Sequence, residues 1–116
     1  MVPIFNRNGK VIAWLNGKNI HHLNGKHAAV INGDNVHGHS GQHLGIINRG
    51  LFRDHRGGVV AFIKGANGGP ILPITSIPPI PPIPAIPPIP AIPAIPPIPA
   101  IPSLRWGMDW INFIND

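Results

Sequence analysis

Histidine is the residue type here with the clearest capacity for chemistry. The chain has seven, and six of them lie between His21 and His43. They recur at matched places: His21 with His37, His27 with His43, and His39 with His55 each stand 16 residues apart. Imidazoles gathered by such a repeat can ligate a divalent metal, and His37-x-His39 sets two on one face of a strand. The metal candidates are therefore His27, His43, His37 and His39. The plainer alternative treats them as partly exposed strand residues whose matched offsets only reflect the repeat. On that reading, which is the expectation, there is no metal and no cofactor.

Other chemistry finds little support. Ser40 falls at a turn signal, and Ser76 and Ser103 lie in a proline-rich region, so no nucleophile has a base nearby in sequence. The only acids are Asp34, Asp54, Asp109 and Asp116, too few for paired-carboxylate catalysis. The glycine-rich turns open no helix and so make no phosphate cradle. The chain reads as a non-enzyme. Its net charge of +5 comes mostly from Arg7, Lys10, Lys18, Lys26, Arg49, Arg53, Arg56 and Lys64. Such a surface attracts polyanions without specificity. Base-stacking aromatics are missing, because Trp14 and Phe62 are needed in the core, so nucleic acid is not the expected partner.

The elements that must position these residues form a gapless 16-residue repeat from Ile4 to Asn67. Each copy opens on a large apolar residue: Ile4, Ile20, Val36, Phe52. A glycine follows at Gly9, Gly25, Gly41 and Gly57, then a tiny residue at Ala13, Ala29, Gly45 and Ala61, then an aliphatic one at Leu15, Ile31, Ile47 and Ile63. Asn8-Gly9, Asn24-Gly25, Ser40-Gly41 and Arg56-Gly57 predict tight type I′ hairpins. Asn16-Gly17 and Asn32-Gly33 predict turns between hairpins. About eight short strands result, an all-β pattern. Simple alternation puts Val11, Ala13 and Leu15 on one face of the second strand and Ile12 and Trp14 on the other. It also turns His27 and His43 toward an axis where Ala13, Ala29, Gly45 and Ala61 meet. The first strands, polar after their opening residue, should lie outside. A core of about 64 residues is marginal alone, so help from a partner surface is expected.

The segments "PIFNRNGKVIAWL" and "FRDHRGGVVAFIKGANGGP", the Ile-Pro-Pro tract and the Trp-bearing C-terminus together resemble the four-fold β-flower proteins of bacteria. The resemblance spans essentially the whole chain. It implies a compact four-repeat β domain followed by a proline-rich tail, and it carries over no activity and no catalytic residue. The histidines of the second and third copies depart from the pattern expected of the family.

From Ile77 the chain runs in triplets. Ile77, Ile80, Ile83, Ile86, Ile89, Ile92, Ile95, Ile98, Ile101 and Leu104 share one phase, and Pro78 through Pro102 fill every middle position. Polyproline II has three residues per turn, so the isoleucines would form a single stripe along a rod of roughly 87 Å. A straight rod of that length outruns a domain about 28 Å across, so it should project or fold back. Burying nine isoleucines is worth on the order of 14–27 kcal/mol as an upper bound. Trp106 and Trp110 in the C-terminal segment are expected to cap a bundle of such rods or dock on a neighbour.

The sequence thus predicts an all-β protein: four 16-residue hairpin repeats in a closed pseudo-four-fold arrangement, followed by a polyproline II rod. The segments are residues 1–69, 70–104 and 105–116. The expected role is structural: a homo-oligomer assembled through the isoleucine stripe. Presentation of the tract to a proline-recognising protein is the first alternative, and polyanion binding is the second. No secretion signal and no membrane span are legible, which points to the cytoplasm while leaving leaderless export open.

Overall fold

The computed structural model describes residues 1–116. Eight short strands, β1 (Val2–Phe5), β2 (Val11–Asn16), β3 (Asn19–His22), β4 (His27–Asn32), β5 (Asn35–His37), β6 (His43–Asn48), β7 (Leu51–Arg53) and β8 (Val59–Phe62), follow one another in chain order. Each pairs antiparallel with the next, and β1 closes on β8 through Phe5 and Phe62, so the sheet is a closed barrel without free edges.

The tight turn within each copy differs from the type I′ expectation. Gly9, Gly25, Gly41 and Gly57 have positive φ, but Asn8, Asn24, Ser40 and Arg56 do not. The Gly9 N–H donates to the Asn6 carbonyl at 2.9 Å, and the Asn6 N–H donates to the Lys10 carbonyl at 2.9 Å. This is a longer loop, a type I turn finished by one left-handed glycine. The geometry asks nothing special of the residue before glycine, which is why serine and arginine serve at 40 and 56. Between copies, Arg49 at φ 53° is the sole non-glycine residue with positive φ.

A second difference lies inside each hairpin. Ile4 pairs with Ala13 but Phe5 pairs with Val11, so Ile12 is an extra residue. The same slip isolates Ala28, Leu44 and Val60. A bulge of this kind disrupts strict alternation. Ile12, Ala28, Leu44 and Val60 therefore join Ala13, Ala29 and Ala61 in the core, while Val11 and Val59 pack outward with Phe5 and Phe62. His27 and His43 occupy the Val11 position. The expectation that they face an inner axis is thereby overturned.

The core holds Ile4, Ile20, Val36 and Phe52 beside the small residues, with Leu15, Ile31, Ile47 and Ile63 partly buried against it. The cover expected from a partner surface comes instead from the chain's own C-terminus. Beyond Ser103, Arg105 and Gly107 bridge to Val59, and the short helix α1 (Trp110–Ile114) adds Trp110, Phe113 and Ile114 to the core. Trp110 stands edge-on to Phe52, with ring centroids 5.6 Å apart. Trp106 packs on Phe62. Both tryptophans bind their own barrel rather than capping a bundle of rods, because that barrel lacked apolar cover there.

Residues 70–104 form neither helix nor strand, and they neither project nor double back. They run around the barrel. The N–H groups of Ser76, Ala85, Ala94 and Ser103 donate to the carbonyls of Gly9, Gly25, Gly41 and Gly57, at 2.9, 2.8, 2.7 and 3.1 Å. Nine residues of tract thus match sixteen residues of repeat. The carbonyls of Ile74, Ile83, Ile92 and Ile101 rest where a Cβ on those glycines would lie, so the close approach needs glycine. Because the belt passes over the first strands, Phe5, His21, His37 and Arg53 are buried, contrary to their expected outside position.

Two substitutions check this packing. Ala94→Pro removes a donor while keeping the extended backbone, and should cost about 1–3 kcal/mol by leaving the Gly41 carbonyl unpaired. Ala91→Pro, whose N–H meets no acceptor, should stay within about 0.5 kcal/mol of wild type in the same denaturant titration. Gly45→Ala should cost about 1–3 kcal/mol. Its Cβ would strike the Arg53 carbonyl and the Phe113 ring.

Candidate functional site, an isoleucine rim above paired histidines

The belt presents its isoleucines to solvent. From Ile71 to Ile101, every isoleucine in the triplet phase is 88–96 % exposed, and Leu104 is 71 % exposed. No charged side chain interrupts this run. Scattered exposed aliphatics are ordinary, whereas a continuous apolar band of this length is not. Of the residues expected to mediate association, Ile77, Ile80, Ile83, Ile86, Ile89, Ile92, Ile95, Ile98, Ile101 and Leu104 all lie on this rim. Trp106 and Trp110 do not.

Beside the belt lies a polar layer built by the outward position of the bulge, with His27 and His43 half-buried and their partners His39 and His55 exposed. His27 Nδ1 stands 2.8 Å from His39 Nε2, and His27 Nε2 stands 3.0 Å from Asn19 Oδ1. One repeat later, His43 Nδ1 stands 2.9 Å from His55 Nε2, and His43 Nε2 stands 2.9 Å from Asn35 Oδ1. The paired rings are near-parallel, at 7° and 19°. An amide oxygen only accepts, so His27 and His43 must carry their proton on Nε2. Their Nδ1 atoms then accept from the Nε2–H of His39 and His55. Each set is a directed chain, from imidazole to imidazole to amide.

These distances bear on metal binding. Two nitrogens sharing a tetrahedral ion at 2.0–2.1 Å each stand roughly 3.3 Å apart. Here the nitrogens are at hydrogen-bonding distance, and His27 and His43 sit in separate chains rather than facing each other. No group of three or more metal-ligating side chains converges anywhere in the chain. His37, the fourth candidate, is engaged elsewhere: its Nε2–H donates to the Ala94 carbonyl at 3.0 Å, and Nδ1 lies 3.3 Å from the Asn32 amide.

His37 belongs to a second layer, the residues directly beneath each belt attachment. At the equivalent place in the next copy, Arg53 donates to the Gly57 and Ser103 carbonyls at 2.7 Å each and to the Gly68 carbonyl at 3.0 Å. Burial presses the Arg53 guanidinium below its ordinary value, and three carbonyl dipoles take the place of a counterion. His21 donates from Nδ1 to the Gly25 carbonyl at 3.0 Å, leaving its buried Nε2 without a partner. Burial, followed by the positive potential of His39, holds His27 and His22 below the ordinary imidazole value. Burial and then His55 do the same for His43.

The 16-residue repeat pairs histidines of adjacent copies at equal offset. The actual partners are 12 residues apart, His27 with His39 and His43 with His55, because the hairpin tip of one copy leans over the strand of the copy before it. The acceptors Asn19 and Asn35 share the 16-residue interval, and that interval is the signal by which the sequence marks them. The tautomers can be checked directly: long-range ¹H–¹⁵N spectra at pH 8 should show Nε2-protonated rings for both His27 and His43.

Comparison with known proteins adds one match. A family model described as 4-fold beta flower protein covers residues 2–114. No curated protein and no solved structure matches the chain.

Proposed function

The chain belongs to the 4-fold beta flower family, and from that premise we propose that it is a non-catalytic assembly protein whose copies associate edge to edge through the isoleucine rim. The observation that carries this reading is the near-complete exposure of that rim. Its finer architecture is a pseudo-four-fold barrel girdled by a polyproline II belt, with residues 1–69, 70–104 and 105–116 acting as one folding unit. The dimensions support the belt's form. Ser76 and Ser103 are attached three copies apart. At ~3.1 Å per residue that stretch covers roughly 84 Å for three quarters of a turn, which gives a ring about 36 Å across. The molecule measures 37 × 37 × 21 Å. The rod expected to be straight can instead bend by about 10° per residue, which three-fold polyproline geometry without internal hydrogen bonds tolerates.

A second copy fits the rim for a structural reason. Successive isoleucines stand ~9 Å apart with proline and alanine between them. The ridges of one belt can therefore enter the gaps of another. The tract carries no charge, so the overall +5 exerts little repulsion there. Because the rim is curved, one contact engages about three isoleucines. At ~1.5–3 kcal/mol each that is roughly 4–9 kcal/mol, set against an association cost of about 4–15 kcal/mol. A single contact is weak, and stable assembly requires several neighbours around each disc.

The test is light scattering across a concentration series. Wild type should gain mass with concentration, whereas Ile80→Ser/Ile89→Ser/Ile98→Ser should stay monomeric with an unchanged thermal midpoint. A wild-type chain that remains monomeric throughout would sink the assembly reading. Retention of the isolated tract by a proline-recognising domain would then favour the adaptor role.

A further inference from the structure

The two imidazole chains run from half-buried His27 and His43, beside one part of the belt, to exposed His39 and His55 at the hairpin tips. His27, His37 and His39 border a cavity of about 190 Å³ whose outer wall is Pro87–Pro93. His43 and His55 border one of about 90 Å³ beneath Pro97–Ala100. The first copy has Val11 where these have His27 and His43, and the fourth has Val59. The belt's end is held by the Arg53 guanidinium at the Ser103 carbonyl, and the first copy, which holds Ser76 at Gly9, carries Phe5 at the equivalent place, so neither end has a histidine there.

We propose that the two histidine chains make the middle of the belt proton-responsive, so that charging both imidazoles of a pair frees the Pro87–Ala100 section while both ends stay attached. The proton count gives the reason. His39 and His55 each have an Nδ1 that no hydrogen bond within the chain occupies. A first proton there leaves the Nε2–H bond to His27 or His43 intact. Asp116 Oδ2 lies 3.8 Å from His55 Nδ1 in the second chain. The second proton has only one place to go, the Nδ1 of His27 or His43, which is the acceptor of the shared bond. Both nitrogens then carry hydrogens, and two cations face each other at hydrogen-bonding distance.

The surroundings oppose that second charge. His27 is met edge-on by His21 at 5.5 Å between ring centroids and lies near His22, while His43 is met by His37 at 5.2 Å. Lys18 borders the first cavity and Lys26 lies near His22. The belt supplies no carboxylate, and Asp54, which borders the second cavity, is committed to the N–H groups of Arg56, Gly58 and Met108. His37 itself is not the release point, since its Nε2–H donates to Ala94 whether the ring is neutral or charged. The sign of the linkage follows. With His22, His27 and His43 held below the ordinary 6.5, the folded chain binds fewer protons than the unfolded one. Stability is complete above that value and falls as pH drops through it.

The readout lies within one chain and does not depend on assembly. Amide exchange measured by NMR on the full chain should show protection at Ala94 falling at least tenfold relative to Ser76 and Ser103 between pH 7.5 and 5, after correction for intrinsic rates. His39→Gln/His55→Gln keeps an N–H donor for each Nδ1 but cannot be charged, and should abolish the relative change. The proposal is overturned if Ala94 keeps its relative protection at pH 5, if all three sites lose protection together, or if the glutamine variant responds as wild type does.

Discussion

The rest of the molecule depends on a match between two periods, expressed in four backbone hydrogen bonds. Each hairpin tip offers one glycine carbonyl, and the tract offers one N–H to each. Proline has no N–H, so a continuous Ile-Pro-Pro run would have nothing to donate from its third position. The chain resolves this by placing Ser76, Ala85, Ala94 and Ser103 at nine-residue intervals. Individually such bonds contribute only ~0.5–1.5 kcal/mol. Together they set the register of a segment that has no secondary structure of its own. Once that register holds, the belt covers the first strands, buries His21, His37 and Arg53, and delivers the C-terminus to the open core.

This arrangement answers a problem of scale. Four short hairpins enclose few large side chains, and the tiny residues at Ala13, Ala29, Gly45 and Ala61 leave little apolar volume inside. The chain compensates at both surfaces of the barrel wall. From within, α1 supplies Trp110, Phe113 and Ile114; from without, Leu72 and Trp106 cover Phe5, Leu51, Val59 and Phe62. Departures from the repeat mark where this happens. Gly45 replaces the alanine of its three counterparts where Phe113 enters, and Gly107 passes close to Asp54 and Gly58. Arg53 anchors the final attachment where the chain leaves the belt.

Much of the barrel could be read in the sequence because the repeat preserves the residue types that decide it. The opening residues, left-handed glycines and tiny residues all recur at one interval, and a closed antiparallel sheet follows. The bulge could not be read in the same way. Val11, Ile12 and Ala13 are all apolar, so hydrophobic alternation gives no sign that two neighbours share a face, and the direction of His27 and His43 was lost with it. The belt's path did leave a trace. Alanine or serine recurs at nine-residue steps through the tract, but Ala91 and Ala100 also interrupt the prolines and blur the period. The histidine pairs depend on how one hairpin tip leans toward the preceding copy, which no single-copy pattern encodes.

Exposed isoleucine in an extended backbone would ordinarily invite runaway strand pairing, because such a segment offers hydrogen-bonding groups and apolar side chains together. Here the two are separated. The strands that could template pairing are closed into a barrel with no edge. The segment that is apolar and exposed alternates its isoleucines with prolines, and those missing donors interrupt any ladder another chain might try to build on it. The molecule can therefore present a long apolar surface while withholding the backbone complementarity on which amyloid growth relies.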